Sequence, residues 1–274
     1  MCVVLTDAYG PRRAGAMGAT VSRRLVGIFL PLAFVWPAAH AAPAAPAFTI
    51  TYAEQAARLV RGTSLYRAGR GVILHEHDLL ESGTGAIQLD GGGATLAIGP
   101  ASRVWIRNAG DIVLLDGWLK LRAPTGKAVT LATANLSLSV NGNTVGMHAA
   151  GTSSELFAES GAVLVHELDA GRRKRAASVP HEHFAVRAGA LPLRLADRPP
   201  PAFLGAMPRS FRDELVPLTL TGAALAPRHE RAASLAELAP WLAAHPALRR
   251  QVQARFDPPR PARAAPPRPS TVRE

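Results

Sequence analysis

The run NLSLSVNGNTVGMHAAG, Asn135 to Gly151, sets Leu136, Leu138 and Val140 at alternate positions, breaks at Asn141-Gly142 and resumes with Val145 and Met147. Alternation at period two belongs to a strand, whose successive side chains leave on opposite faces. Asn-Gly tolerates the positive φ of a tight reversal because glycine has no Cβ to clash. The same design fills the middle of the chain. Ile87 and Leu89, then Leu96 and Ile98, alternate about Asp90-Gly91; further turn signals stand at Asn108 to Gly110, Asp116-Gly117 and Ser160-Gly161. Turns roughly every 8–12 residues between short alternating runs predict a mainly β fold, an antiparallel sandwich or jelly roll. No helical stretch long enough for a parallel crossover separates these runs.

Six glycines crowd LLESGTGAIQLDGGGATLAIGP, Leu79 to Pro100, and raise the question of a phosphate cradle. A dinucleotide site needs G-x-G-x-x-G between a strand and a helix, and a P-loop needs Gly-Lys-Ser/Thr. Here Gly83-Thr84-Gly85 runs into another strand and no Gly-Lys-Ser/Thr follows. Gly83, Asp90, Gly91, Asp116, Gly117, Asn141 and Gly142 are therefore expected as structural turns, and no cofactor is expected.

Outside this region the pattern changes. The alanine-proline run in residues 42–55 reads as a spacer, with a helix-compatible piece around Glu54 to Leu59 ahead of a β domain over residues 56–190. Residues 191–206 contain a triple proline and read as a linker. Residues 207–256 read as helical: Ser234 and Glu237 form a capping box, Leu235, Leu238, Trp241 and Leu242 share one face, and His245-Pro246 breaks to a second helix carrying Leu248, Val252 and Phe256. The proline-rich basic tail, residues 257–274, lacks the apolar content to fold.

The N-terminus reads as an address. Arg23-Arg24 precede fifteen uncharged residues, Leu25 to Ala39, and then Ala39-His40-Ala41. That is the order of a secretory signal peptide over residues 1–41, cut after Ala41, with Met17 as an alternative start. An uncleaved anchor is the rival reading, though the run is short for a span and Pro31 and Pro37 interrupt it. Cys2, the one cysteine, precedes the cut, so the mature chain would carry no disulfide and no thiol chemistry. A periplasmic or secreted product, with no membrane span after cleavage, is expected.

The formal net charge of +11 needs a location. The signal segment accounts for +3, leaving +8, concentrated in Arg172, Arg173, Lys174 and Arg175 and in seven arginines from Arg249 onward. Neither cluster interleaves aromatics that would stack on bases, so nucleic acid is not the expected partner. Two His-Glu-His runs, His75-Glu76-His77 and His181-Glu182-His183, would each present two imidazoles on one face of a strand, and these four are the candidate metal ligands. Solvent-facing strand ends are the competing reading, and the expected metal set is none. No G-x-S-x-G elbow or H-E-x-x-H helix occurs, and Asp78, Glu81, Asp90, Asp111 and Asp116 sit at turns, so no catalytic residue is expected.

The strand series resembles the FecR-like domain. Its features fall on Gly62, on Asp78-Leu79-Leu80-Glu81-Ser82-Gly83, on Asp90-Gly91, on Leu96 through Ser102 to Val104 and Ile106, and on Leu115 to Leu119, with a looser match to Leu168. The resemblance implies an all-β module outside the inner membrane that senses or binds other envelope components. The best-known members relay a receptor's state to an extracytoplasmic-function sigma factor from a cytoplasmic segment; here a cleavable signal stands in that place. The expected function is thus an exported, non-enzymatic binding or sensing module of the bacterial envelope, its partner an envelope protein or peptidoglycan. A membrane-held sigma regulator and a peptidoglycan-associated scaffold are the alternatives. N-terminal sequencing of the exported protein should return Ala42 as the first residue; a start upstream of Leu25 would restore the anchored reading.

Overall fold

The computed structural model describes residues 46–257; the expected signal segment and residues 258–274 of the tail lie outside them. The chain opens with β1 (Pro46–Ala53), β2 (Ala57–Arg61), β3 (Ser64–Ala68), β4 (Ile73–His75), β5 (Leu79–Glu81), β6 (Ile87–Gly91) and β7 (Ala94–Ile98). It continues as β8 (Arg103–Asn108), β9 (Asp111–Arg122), β10 (Val129–Ala132), β11 (Leu136–Val140), β12 (Thr144–Ala150) and β13 (Ser153–Ser160). Next come β14 (Val163–Asp169), β15 (Arg172–Val179), β16 (Phe184–Ala188), β17 (Arg194–Ala196) and a first helix, α1 (Pro201–Ala206). A last strand, β18 (Arg228–Ala232), precedes α2 (Leu235–Leu238) and α3 (Pro246–Phe256).

Ladders sort the strands into two sheets. The first runs β4-β1-β6-β7-β9-β12-β13-β16-β17. The second runs β18-β3-β2-β5-β8-β9-β10-β11-β14-β15. Every ladder is antiparallel except β9 with β10. The inner faces share one core, to which Phe48, Ile50, Leu96 and Met147 come from the first sheet and Leu59, Val104, Leu138 and Val165 from the second. The mainly antiparallel β architecture is the expected one.

Strand β9 belongs to both sheets. Its first half pairs with β8 and β10, its second with β7 and β12. Ile112 and Leu114 point into the core, and so do Leu119 and Leu121, so the inward parity flips across Asp116-Gly117. Gly117 makes the flip: its φ is 86°, and a Cβ there would lie 2.3 Å from Ser102 Oγ and 2.7 Å from Ser102 Cα. Ser102 Oγ accepts from Trp118 N at 2.8 Å, and Ser102 N donates to Ser82 Oγ at 2.9 Å, both serines being fully buried. The expected turn at Asp116-Gly117 is therefore corrected to a kink within one strand.

Other turn signals divide by what they join. Gly92-Gly93, with φ of 61° and 86°, closes the β6–β7 hairpin, so the expected turn at Asp90-Gly91 is corrected to the end of β6, where the two residues pair with Thr95 and Ala94. A Cβ on Gly91 would lie 2.3 Å from Ala47 O, so this glycine serves close packing on β1. Asn141-Gly142 and Gly83, by contrast, are corners at which the chain leaves the second sheet for the first, since β11 and β12 do not pair and neither do β5 and β6. The spacer reading of residues 42–55 is also corrected: β1 supplies Phe48 and Ile50 to the core. The helix-compatible piece around Glu54 to Leu59 is a bend and then β2, because β2 is held on both sides by β3 and β5, and tertiary pairing overrides local propensity.

After β17 the chain covers both outer faces. Phe203, Met207, Phe211 and Leu215 pack on Ala97, Trp118 and Phe184 of the first sheet. Beneath them Lys120, 1% exposed, spends its three donors on Glu159 Oε1 (2.8 Å), Phe211 O (2.9 Å) and Asp213 O (2.8 Å). Then β18 extends the second sheet beside β3, and Leu238, Trp241, Leu242, Leu248 and Val252 cover Val60, Leu79, Trp105 and Val113. The capping box at Ser234 and Glu237 is present. Residues 191–206, expected as a linker, include β17 and α1, whose first position is a proline because its missing N–H is unused there. Residues 207–256, expected as helical, include β18, exposed along its length and joined to β3 by its backbone ladder and by the Arg67–Glu230 ion pair at 2.6 Å.

Lys120→Met should lower the unfolding free energy by about 3 kcal/mol, because it leaves the buried Phe211 carbonyl, the Asp213 carbonyl and Glu159 without their donor. Urea unfolding measures this, and limited proteolysis should then cut first between residues 201 and 215. A loss under about 0.5 kcal/mol would contradict the assignment.

Candidate ligand cleft

α3 starts at Pro246, and His245 occupies its N-cap position without a side-chain capping bond. The first bond along the helix runs from Arg249 N to His245 O at 2.9 Å, so the amides of the first turn have no carbonyl four residues back. Between this helix start and the outer face of the second sheet lies a cleft of about 400 Å³. Arg107 of β8, Asp111 of β9, Thr130 of β10, Arg173 of β15, His245 and Arg250 line it. An adjoining hollow of about 380 Å³ shares Arg107, Asp111 and Leu248 and adds His77 and Trp105.

The polar groups here are under-partnered. Arg107 Nη1 meets Asp111 Oδ2 at 3.2 Å, and its guanidinium lies 5.0 Å from the centre of the Trp105 ring. Neither Arg173 nor Arg250 forms an ion pair among the described residues. His245 is 8% exposed, and its Nε2 is buried without a hydrogen-bond partner. Burial pushes the His245 pKa below the ordinary imidazole value of 6.5; a backbone hydrogen bond at Leu115 opposes the shift and the Arg107 charge adds to it. Trp105 Nε1 and Asp111 Oδ1 are buried and unpartnered as well. Among the described residues these three atoms are the unpartnered buried side-chain polar atoms, and all three residues line the two adjoining hollows.

The residues expected from the sequence lie elsewhere, apart from His77. Both His-Glu-His runs are turns, not strand faces: Asp78 N donates to His75 O at 3.3 Å, His183 N donates to Pro180 O at 3.1 Å, and His77 and Glu182 have φ of 69° and 61°. The i and i+2 imidazoles therefore do not share a strand face. His75 closes edge strand β4, whereas His181 and His183 precede β16 near the opposite edge of that sheet, so the two runs cannot pair. Among the described residues no three His, Cys, Asp or Glu side chains converge as a metal site. Asp90 accepts from Thr95 Oγ1 at 2.6 Å and Gln88 Nε2 at 3.1 Å, and Asp116 lies 3.6 Å from Arg103, both structural roles. Sequence reasoning set Arg173 and Arg250 in basic clusters and His245 at a helix break, but it did not join them with Arg107, because the four come from three separated segments.

No protein-family model matches the chain, and no curated protein matches it. Two crystal structures of a candidate anti-sigma factor from Parabacteroides distasonis ATCC 8503 are similar in part. One, at 9% identity and a TM-score of 0.36, aligns with 45% of this chain and 57% of its own. The other, at 9% identity and a TM-score of 0.33, aligns with 39% and 52%. The chain thus spans little more than half the length of the solved structures it matches. Among the described residues no helix is long and apolar enough to cross a membrane.

The lowered His245 pKa has a sign. Between the folded value and 6.5 the unfolded chain binds more protons, so stability is full above that window and falls as pH drops through it. Thermal melts at about pH 7.5 and about pH 5.5 should show a larger loss for the native protein than for His245→Asn. Equal losses would contradict the assignment.

Proposed function

We propose that this chain is an exported, non-enzymatic FecR-like binding module of the bacterial envelope whose partner is anionic, a wall polymer or an acidic envelope protein. The observation that carries this reading is the open edge of the second sheet. β15 pairs only with β14, and Arg172, Arg173, Lys174 and Arg175 stand exposed along it. Among the described residues only Lys174 of the four forms an ion pair, with Asp169 at 3.8 Å, although Arg172 stands opposite that aspartate in the ladder. Basic side chains on an edge strand also block sheet-to-sheet aggregation. Four in succession, with Arg173 lining the same cleft as Arg250, also make a surface that attracts negative charge.

Isolated cell walls should sediment the mature protein at low ionic strength and release it in about 0.5 M salt, where exposed charges are screened. Replacing Arg172, Arg173, Lys174 and Arg175 together by serine should leave it in the supernatant. Full recovery of the native protein in the low-salt supernatant would remove the wall and leave an acidic protein as partner.

A further inference from the structure

The geometry points to a second kind of site: the cleft between the start of α3 and the outer face of the second sheet binds a small hydroxylated oxyanion, a sugar acid or a sugar phosphate. Three features choose this class. Arg107, Arg173 and Arg250 bring three positive charges to a space with one carboxylate, Asp111, so the lining has a surplus of two. The first-turn amides of α3 add the positive end of a helix. The third, independent feature is His245, more than nine-tenths buried in that lining with an unpartnered Nε2.

The unpartnered atoms ask for more than an anion. Asp111 Oδ1 can only accept while ionised, and Nε2 of a neutral imidazole accepts when Nδ1 carries the proton, so each calls for a donor. Trp105 Nε1 can only donate and calls for an acceptor. Leaving such groups unmet costs stability, and buried polar groups in folded proteins are rarely left so. A sugar hydroxyl supplies donor and acceptor together, while its carboxylate or phosphate meets the arginines and amides. A volume of about 400 Å³ is of the size that a small ligand fills. Apolar flanks at Val113, Ala132 and Leu248 suit the carbon face of a ring.

This site shares Arg173 with the edge-strand docking proposed above but does not rest on that reading. Docking depends on exposed charge and not on His245, whereas the cleft depends on both. Isothermal titration of the mature protein with glucuronate and with glucose 6-phosphate tests it, with glucose and inorganic phosphate as controls. At least one acid should bind with a Kd of about 1 mM or tighter, and both controls should bind at least about tenfold more weakly. His245→Asn and the exposed change Arg250→Ala should each weaken that acid about tenfold, while Arg228→Ala on β18 should not. Binding by glucuronate alone would identify the ligand as a carboxylate, and by glucose 6-phosphate alone as a phosphate. The proposal is overturned if neither acid binds, if inorganic phosphate binds as well as either, or if Arg250→Ala, folded by circular dichroism, binds unchanged.

Discussion

One strand shared by two sheets is the constraint on which this molecule turns. β9 leaves the second sheet for the first within twelve residues, and the exchange of inward parity at Asp116-Gly117 makes that passage compatible with a single core. A straight strand keeping the parity of Ile112 and Leu114 would bring Asp116, Trp118 and Lys120 inward and expose Leu119 and Leu121. The positive φ of Gly117 and the close approach of Ser102 prevent this. Everything beyond β9 inherits its orientation from that kink, including the outward placement of Trp118 and Lys120, on which the C-terminal segment lies.

That segment turns a two-layer sandwich into a structure with covered outer faces. Apolar contact holds it at each face, and buried polar ties fix where it lies. Lys120 binds the carbonyls of Phe211 and Asp213, and Arg122 Nη1 donates to Leu215 O at 3.2 Å. Such ties are costly to desolvate and weak as net stabilisers, but they penalise any other placement of the segment. On the second sheet the helices cover most of the outer face and stop short of its β14–β15 end, where the cleft remains.

The sequence displayed its strands plainly because alternation and glycine signals are local. Leu136, Leu138 and Val140 are inward as their spacing required, and the Ser234 capping box lies where its residues predict. What a glycine signal joins is not local. Asp90-Gly91 ends a strand just ahead of its hairpin, Asn141-Gly142 turns a corner between sheets and Asp116-Gly117 bends one strand, although the three dipeptides carry the same sequence signal. The cleft was illegible for a related reason. Arg107, Arg173 and His245 are brought together by β8, β15 and α3, elements that no periodicity places side by side.

If these distant residues form one binding site, the tryptophans give it a direct readout. Trp105 lines the hollow beside the cleft, whereas Trp118 packs on the first sheet's outer face and serves as an internal reference. Proton–nitrogen NMR spectra of the indole groups, recorded as the tighter-binding sugar acid is added, should move the Trp105 Nε1–H signal in a saturable way and leave that of Trp118 in place. A Trp105 signal that stays fixed, or one that moves only in step with Trp118, would contradict a single site.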